Sequence, residues 1–382
     1  MKKIAIIGAS YLQEPLIRKA KIRGIETHVF AWQTGDVGEK SADHFYPISI
    51  TEKEQILEKC TGIGIDGVCS ISSDLASVTV NYVADALGLV GNSPGSVLLS
   101  TNKYMMRKSF EKNGDPSLRF AHVTSSREAL DVDLRFPLIV KPVDRSGSRG
   151  VTKVDDRSQL AEAVDRALSV GFEKSVVVEE FARGVEYSVE YISWEGKHSF
   201  LSVTKKYTTG APHFIETAHL EPADIDEDIL VRIKSVVEHA LDSLGIRYGA
   251  SHSEIMISDQ LDITLIEIGA RMGGDNIGSS LVELSTGYDF VGGVIDVCLG
   301  IPPVVRKTKN ASAGIRFIFS DKDVKVLERI RRDRPELIVE EDVHRISSQT
   351  VTDSSTRFGY FTLASDDPND IKRYMPGESE EV

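Results

Sequence analysis

The sequence predicts a multidomain protein of mixed α/β and α+β class, and three observations carry that reading. The chain has 382 residues, more than one hydrophobic core accommodates, so two or three domains are expected. Roughly the first 95 residues alternate short apolar runs with helical stretches, the βαβ rhythm of a doubly wound parallel sheet. Further on, apolar strands arrive in pairs joined by polar turns, as in "SEIMISDQLDITLIEIGAR".

Each element follows from its residues. "KIAIIGA" is an uninterrupted apolar run, as a parallel strand buried on both faces requires. "ETHVFAW" and "DGVCSIS" supply the next strands, with "EPLIRKAKIRG" and "LASVTVNYVADALG" as helices. The first turn, "GASYLQEP", has Gly8 but places Ser10 and Gln13 where the dinucleotide fingerprint G-x-G-x-x-G needs glycine. No nicotinamide or flavin site is therefore read there, and the turn is expected to be structural rather than a seat for a small anion. "NSPGSV" marks a boundary, after which Ser100, Thr101 or Asn102 caps a helix bearing Lys103 and Arg107 on one face. The helix "RSQLAEAVDRALSVG" and the apolar run "SVVVEEFARGVEYSVEYISW" follow, and residues 120–185 read as a small α+β unit. Strands come next at "KHSFLSVTKKYT" and "HSEIMIS…LDITLIEIGAR". The prolines of "GIPPVV" open a last segment with strands in "AGIRFIFS" and "RFGYFTLAS" and an acidic tail, "GESEEV".

Composition excludes several classes. A formal charge of −13 argues against a nucleic-acid binder, because affinity for a phosphate backbone comes from summed lysines and arginines. Cys60, Cys69 and Cys298 form no C-x-x-C pair and read as core residues in a reducing compartment. The apolar run after Lys2 and Lys3 is too short for a signal peptide, and no stretch approaches the ~18 apolar residues of a membrane span. A cytoplasmic protein with no membrane partner is expected.

Three stretches carry chemistry. In "PLIVKPVDRSGSRGV" an apolar strand ends at Lys141 and opens into a basic loop with Ser146, Gly147, Ser148 and Gly150. Glycine amides approach an anion closely and the ammonium adds charge, so the arrangement suits a polyphosphate, although it is not a Walker A loop. In "VVVEEFARGVEY", 38 residues on from Lys141, a strand runs into Glu179, Glu180, Phe181 and Ala182, with Glu186 beyond a glycine. Backbone groups there can meet a purine edge and a carboxylate can accept from ribose hydroxyls. In the third stretch Glu254 and Glu267 lie in paired strands 13 residues apart, with Arg271 just past the strand end. Buried carboxylates are costly unless paired or bound to metal, and Mg²⁺ takes oxygen ligands and phosphates. Each stretch alone is equally well explained by a charged turn or a structural ion pair.

Together and in order, Lys103, "VKPVDRSGSRGV", "VEEFARGVEYSVE" and "EIM…LIEIGAR" resemble the ATP-grasp superfamily of carboxylate–amine ligases, through about residues 97–300. The resemblance implies a Rossmann-like pre-ATP-grasp domain at 1–95, an ATP-grasp domain at 96–300 with a mobile lid at 120–185, and a C-terminal domain at 301–382 completing the core, a layout similar to biotin carboxylase. It implies that Lys103 and Lys141 hold ATP phosphates under a lid of residues 145–150. The Glu180–Ala182 backbone would take adenine, Glu186 the ribose, and Glu254 with Glu267 the Mg²⁺ (or Mn²⁺). Arg271 would stabilise the acyl phosphate and tetrahedral intermediate, and Arg316 lies where relatives carry another anion-binding arginine. Gly269 departs from the family, which usually has Asn there as a further metal ligand. That departure and "PHFIETAHLEPA" resemble L-amino-acid (dipeptide) ligases. In that segment Glu216 would receive an α-ammonium group and His219 would contact substrate or take its proton, with His213 a weaker candidate. A homodimer is the family-level expectation.

The implied reaction activates a carboxylate as an acyl phosphate and couples it to an amine, with ADP and phosphate released. The alternatives are an ATP-grasp ligase of a purine precursor or another non-amino-acid carboxylate, and a catalytically inactive nucleotide-binding homologue. No biotin-carrier segment is read in the sequence.

Overall fold

The computed structural model describes residues 1–211, 214–347 and 350–378. His213 and the last four residues of the acidic tail lie outside them.

The amino-terminal unit runs β1 (Lys3–Ile7), α1 (Glu14–Ile22), β2 (Glu26–Phe30), α2 (Val37–Ser41), β3 (His44–Tyr46), α3 (Lys53–Ile63), β4 (Gly67–Cys69), α4 (Asp74–Leu87) and α5 (Pro94–Thr101). Its strands pair in parallel in the order β3-β2-β1-β4. The doubly wound reading holds because alternate residues of β1 feed two cores. Ile4 and Ile6 pack with Leu16 and Ile17, whereas Ala5 and Ile7 pack with Ile56, Cys60 and Val83. In the turn after β1, which lines the cleft, the Gln13 side chain accepts from the Ser10 amide and donates to the Ile71 carbonyl.

α6 (Lys103–Asn113) is capped by Asn102, whose side chain accepts from the Met105 amide. Then come β5 (Phe120–Val123), α7 (Ser126–Ala129), β6 (Leu138–Pro142), β7 (Thr152–Val154), α8 (Leu160–Val170) and β8 (Val176–Glu180). These strands form a separate antiparallel sheet, β5-β8-β6-β7, whose apolar face closes on α7 and α8.

The rest builds one eight-stranded sheet, β13-β12-β9-β10-β11-β14-β16-β15. Its elements are β9 (Val185–Trp194), β10 (Lys197–Thr208), β11 (Glu216–Glu221), α9 (Glu227–Ser243), β12 (Gly249–Ile257), β13 (Ile263–Gly269), α10 (Val282–Thr286), α11 (Phe290–Cys298), β14 (Ser312–Phe317), α12 (Asp321–Asp333), β15 (Ile338–Val343), β16 (Gly359–Ser365) and α13 (Pro368–Lys372). The run read as continuous from Ser175 to Trp194 is two strands in two sheets. Gly184, at φ +141°, makes the joint, and a Cβ there would strike the Ile257 backbone. The carboxy-terminal strands enter the same sheet through β11–β14 pairing, so the sheet runs across the boundary read at "GIPPVV".

This sheet has two chemically distinct faces, as the period-two alternation of strands dictates. On one face Val189, Tyr191, Ile255, Leu265 and Ile268 pack on α6 and α9. The other face carries Glu186, Glu190, Lys206, His219, His252, Glu254 and Glu267, and opens into a cleft. All three cysteines are buried and free. Among the described residues, no helix is long and apolar enough to cross a membrane.

Candidate active site

The cleft, with a cavity volume of about 1270 Å³, is lined by the polar face of the large sheet, the loop after β6 and the strand ends of the amino-terminal unit. Glu254 and Glu267 are direct register partners across β12 and β13, and a register shift between Glu254 and Ile255 sets one carboxylate against the other. Each is answered by a lysine from a different element. Lys103, at the start of α6, donates to Glu267 at 2.7 Å and to the Arg145 carbonyl at 2.8 Å. Lys206, on β10, donates to Glu254 at 2.6 Å and lies 2.7 Å from Glu186.

Burial raises the stakes of these pairs. It disfavours charge on Glu254, but Lys206 and then His252 outweigh it and hold the carboxyl well below its ordinary range. Burial likewise works against a charged Lys206, and Glu186, Glu254 and Glu216 overcome it and push its pKa up. Glu186 goes the other way: burial raises it, and Lys206 offsets that only in part. His252 donates from Nδ1 to the wholly buried Glu190 at 2.5 Å. Despite burial, Glu190 and Glu254 push the imidazole up to about 9, so it stands charged beside the two facing carboxylates at neutral pH.

Arg271 lies just past β13 and reaches Asp74 on α4, with Nε at 2.8 Å and Nη2 at 3.0 Å from its two carboxylate oxygens. Burial opposes its charge and Asp74 more than restores it. The loop after β6 crosses the cleft mouth. Ser146 and Gly147 line the cleft with Arg149, and Gly147, Ser148 and Gly150 all take left-handed backbone, at φ +66°, +56° and +75°.

Glu216 and His219 lie on β11 at the far end of the cleft. Glu216 accepts from Arg357 Nη2 at 3.1 Å and from the Ser354 hydroxyl at 3.2 Å. His219 is buried, which lowers its pKa, and its Nδ1 has no hydrogen-bond partner among the described residues.

Other predicted residues are placed elsewhere. Lys141 is buried on β6 with its ammonium 2.8 Å from Glu179, which also accepts from Arg107 Nε at 2.7 Å. Burial works against Glu179, but Arg107 and Lys141 hold it down to about 2. This triad joins the β5-β8-β6-β7 sheet to α6, and the Glu179 side chain is taken up by it. Glu180 pairs with Arg119 and Arg135. The Glu180 and Phe181 amides donate to the Arg119 and Pro137 carbonyls, so neither is a free donor for a purine edge. Phe181 leans toward Phe214 at 6.0 Å between ring centroids, and Ala182 is half-buried beside it.

Arg316 is a correction. Its neighbours Ile315 and Phe317 face the cleft side, so strand alternation turns Arg316 to the opposite face. There it binds Asp323 at 2.8 Å and the Tyr374 carbonyl at 2.7 Å. The carboxy-terminal arginine in the cleft is instead Arg357, stacked 3.7 Å over Phe317 and bound to Glu216 and to Asp275 at 2.9 Å. Sequence reasoning missed Arg357, Asp74, Lys206, Glu190 and His252. The i, i+2 spacing of His252 and Glu254, and of Glu186 and Glu190 through Ser188, could have found the last two; Asp74 and Arg357 come from distant segments and carry no local signal.

Residues 134–279 match the family model for the ATP-grasp domain. Alanine–anticapsin ligase of Bacillus subtilis (strain 168) is 28% identical over 276 residues, covering 65% of this chain and 57% of that protein. This chain thus spans little more than half the length of that curated relative. The L-amino acid ligase structure from Bacillus licheniformis superposes with a TM-score of 0.81 at 23% identity, covering 96% of this chain and 94% of that one. N5-carboxyaminoimidazole synthetase from Staphylococcus aureus, complexed with ADP, superposes with a TM-score of 0.77 at 17% identity, covering 99% and 97%.

Proposed function

We propose, on the premise that this chain carries an ATP-grasp domain, that it is an ADP-forming carbon–nitrogen ligase. It would activate the carboxylate of an amino acid as an acyl phosphate and couple it to an amine. The observation that carries this reading is the facing pair Glu254 and Glu267, met by Lys103 and Lys206 from two other parts of the chain, with Arg271 just past the strand end held by Asp74. The names of the amino-acid ligases among the similar proteins support it.

ATP and Mg²⁺ are the cofactors of this reading. The two carboxylates fit a hard cation: both are oxygen donors, both line the cleft, and each is held only by side chains that a cation could displace. Bound there, Mg²⁺ would neutralise phosphate charge. Lys103 and Lys206, which now neutralise the carboxylates, are then free to turn to phosphate oxygens. The β- to γ-phosphate bond breaks as a substrate carboxylate oxygen takes the γ-phosphoryl group, leaving ADP. Arg271 offsets the charge that develops on the acyl phosphate. The amine then attacks the acyl carbon, phosphate departs and an amide forms. The loop of residues 145–150 is placed to exclude water, which would otherwise hydrolyse the intermediate. Glu216 is the group for the substrate ammonium, provided that Arg357 gives it up. A cytoplasmic homodimer acting on small molecules completes the reading.

The test is release of ADP and phosphate from MgATP across amino acids offered singly and in pairs. The expected result is release with particular pairs only, and a product mass equal to the pair minus water. Release of AMP and pyrophosphate would overturn the acyl-phosphate route. Glu267→Gln should fold normally and lose turnover; a variant as active as the parent would remove the carboxylate pair from the chemistry.

A further inference from the structure

We propose that Asp74 is a positioning residue for Arg271, reaching in from the amino-terminal unit to occupy the space that a side chain at position 269 would take; its kinetic consequence rests on the ligase reading above.

Asp74 opens α4, just after the turn that follows β4, and its carboxylate takes the Nε–Nη2 edge of Arg271 side-on. Nη1 donates to the Met272 carbonyl at 3.3 Å. A guanidinium has five N–H groups, so one on each Nη remains. The Nη1–Nη2 edge, which Asp74 does not take, is the one suited to a second anion. Asp74 and Arg271 both line the cleft. The pair therefore aims one edge of the guanidinium by holding the other.

Gly269 shows how closely this pair is built in. A Cβ there would lie 2.8 Å from Asp74 Oδ1, 3.0 Å from Arg271 Nε and 3.1 Å from Arg271 Cζ. Every one of those contacts is with the Asp74–Arg271 pair. Position 269 is two residues beyond Glu267 on β13, so a side chain would point to the cleft face, where the Asp74 carboxylate now sits. Glycine at 269 and the pair are two halves of one packing arrangement. A second contact supports the docking: the Ser72 hydroxyl donates to the Gly273 carbonyl at 3.1 Å, with Ser72 held at φ +60°. Residues 72–74 thus seat on residues 269–273 at two points.

The need for an anchor follows from the surroundings. The other anions acting on Arg271 are Glu254 and Glu267, the two groups assigned to the cation. A guanidinium freed from Asp74 would turn toward them, compete with the cation and leave the acyl phosphate uncovered. Asp74 prevents this by satisfying Arg271 from the opposite wall.

Two measurements test the proposal. The first is a thermal-stability cycle on the full chain with Gly269→Ala, Asp74→Ala and the double variant. Gly269→Ala should lower Tm in the parent and cost less once Asp74 is alanine, because the nearest atom it strikes is gone and the Arg271 guanidinium, no longer held, can shift from the other two. Strictly additive losses would overturn the pairing, whether or not the protein is a ligase. The second is kinetics at saturating substrates with MgADP binding by calorimetry. Asp74→Asn should lower kcat on the order of 10²-fold while the KM for MgATP and the MgADP Kd stay within about two-fold, and Asp74→Glu should recover part of the loss. An unchanged kcat overturns the positioning role, as does a parallel fall in kcat, Tm and MgADP affinity, which would mark Asp74 as only structural. A parent protein that ligates nothing would defeat the ligase reading, while the stability cycle would still decide the pairing.

Discussion

Glu221 lies on β11 with its carboxyl wholly buried, accepting from the Thr204 and Ser285 hydroxyls at 2.7 Å each. Burial, with Glu190 nearby, pushes its pKa up to about 7 against the partial relief of those hydroxyls, from an ordinary 4.5. The folded protein therefore keeps a proton that the unfolded chain has released. Stability from this group is fully present below about pH 4.5 and falls as pH rises toward 7, by on the order of 3 kcal/mol. Glu221→Gln should flatten that fall and raise Tm at pH 8 relative to the parent; parallel Tm–pH curves for the two proteins would show that Glu221 does not titrate in this way. Lys206 is the converse case, a buried cation among Glu186, Glu254 and Glu216. Lys206→Met leaves those carboxylates facing one another and should cost roughly 3 kcal/mol. Added Mg²⁺ should then raise Tm more in the variant than in the parent. Equal gains would argue against a cation among these groups.

The loop between β6 and β7 shows what a short element can encode. Its two glycines are not equivalent. A Cβ at Gly147 meets nothing within 4 Å, while one at Gly150 runs into Val170 on α8. Both have left-handed backbone, so alanine at either costs about 1 kcal/mol in conformation. Gly150→Ala adds the clash and should destabilise the β5-β8-β6-β7 sheet clearly more than Gly147→Ala, as chemical denaturation would show. Equal losses would mean that Val170 moves aside freely. The opening stretch of this loop was legible in sequence because strand, lysine and glycines are contiguous. The longest helix among the described residues, α9, escaped notice although Ile229, Ile233, Val237 and Leu241 are buried at the i, i+4 spacing of one helix face. Its polar residues masked the stripe in a reading directed at strands and motifs.

At the scale of the molecule, the cleft is made by three parts of the chain and the basic loop spans its mouth. Ser146, Gly147 and Arg149 of that loop are exposed. Trypsin should therefore cut after Arg149 in the free protein, and MgADP should slow that cleavage severalfold. A rate unchanged by MgADP, with binding confirmed by calorimetry, would show that the loop does not close over nucleotide.

The sequence by itself determined the mixed fold class, the parallel amino-terminal sheet, a helix capped from within Ser100–Asn102 and the placing of Glu254 and Glu267 on paired strands. All of these rest on periodicity or on spacing within a hairpin, which are local properties. It did not decide which charges meet. Arg316 and Arg357 both lie in the carboxy-terminal segment, and only the pairing of β14 with β11 and β16 turns one away from the cleft and brings the other in. Lys141 sits where a phosphate clamp was expected, but the pairing of β6 with β8 gives it Glu179 as a partner, and the docking of α6 adds Arg107. The Asp74–Arg271 pair joins residues 197 positions apart. Such partnerships depend on how separately folded units dock, and no local pattern of residue types records that.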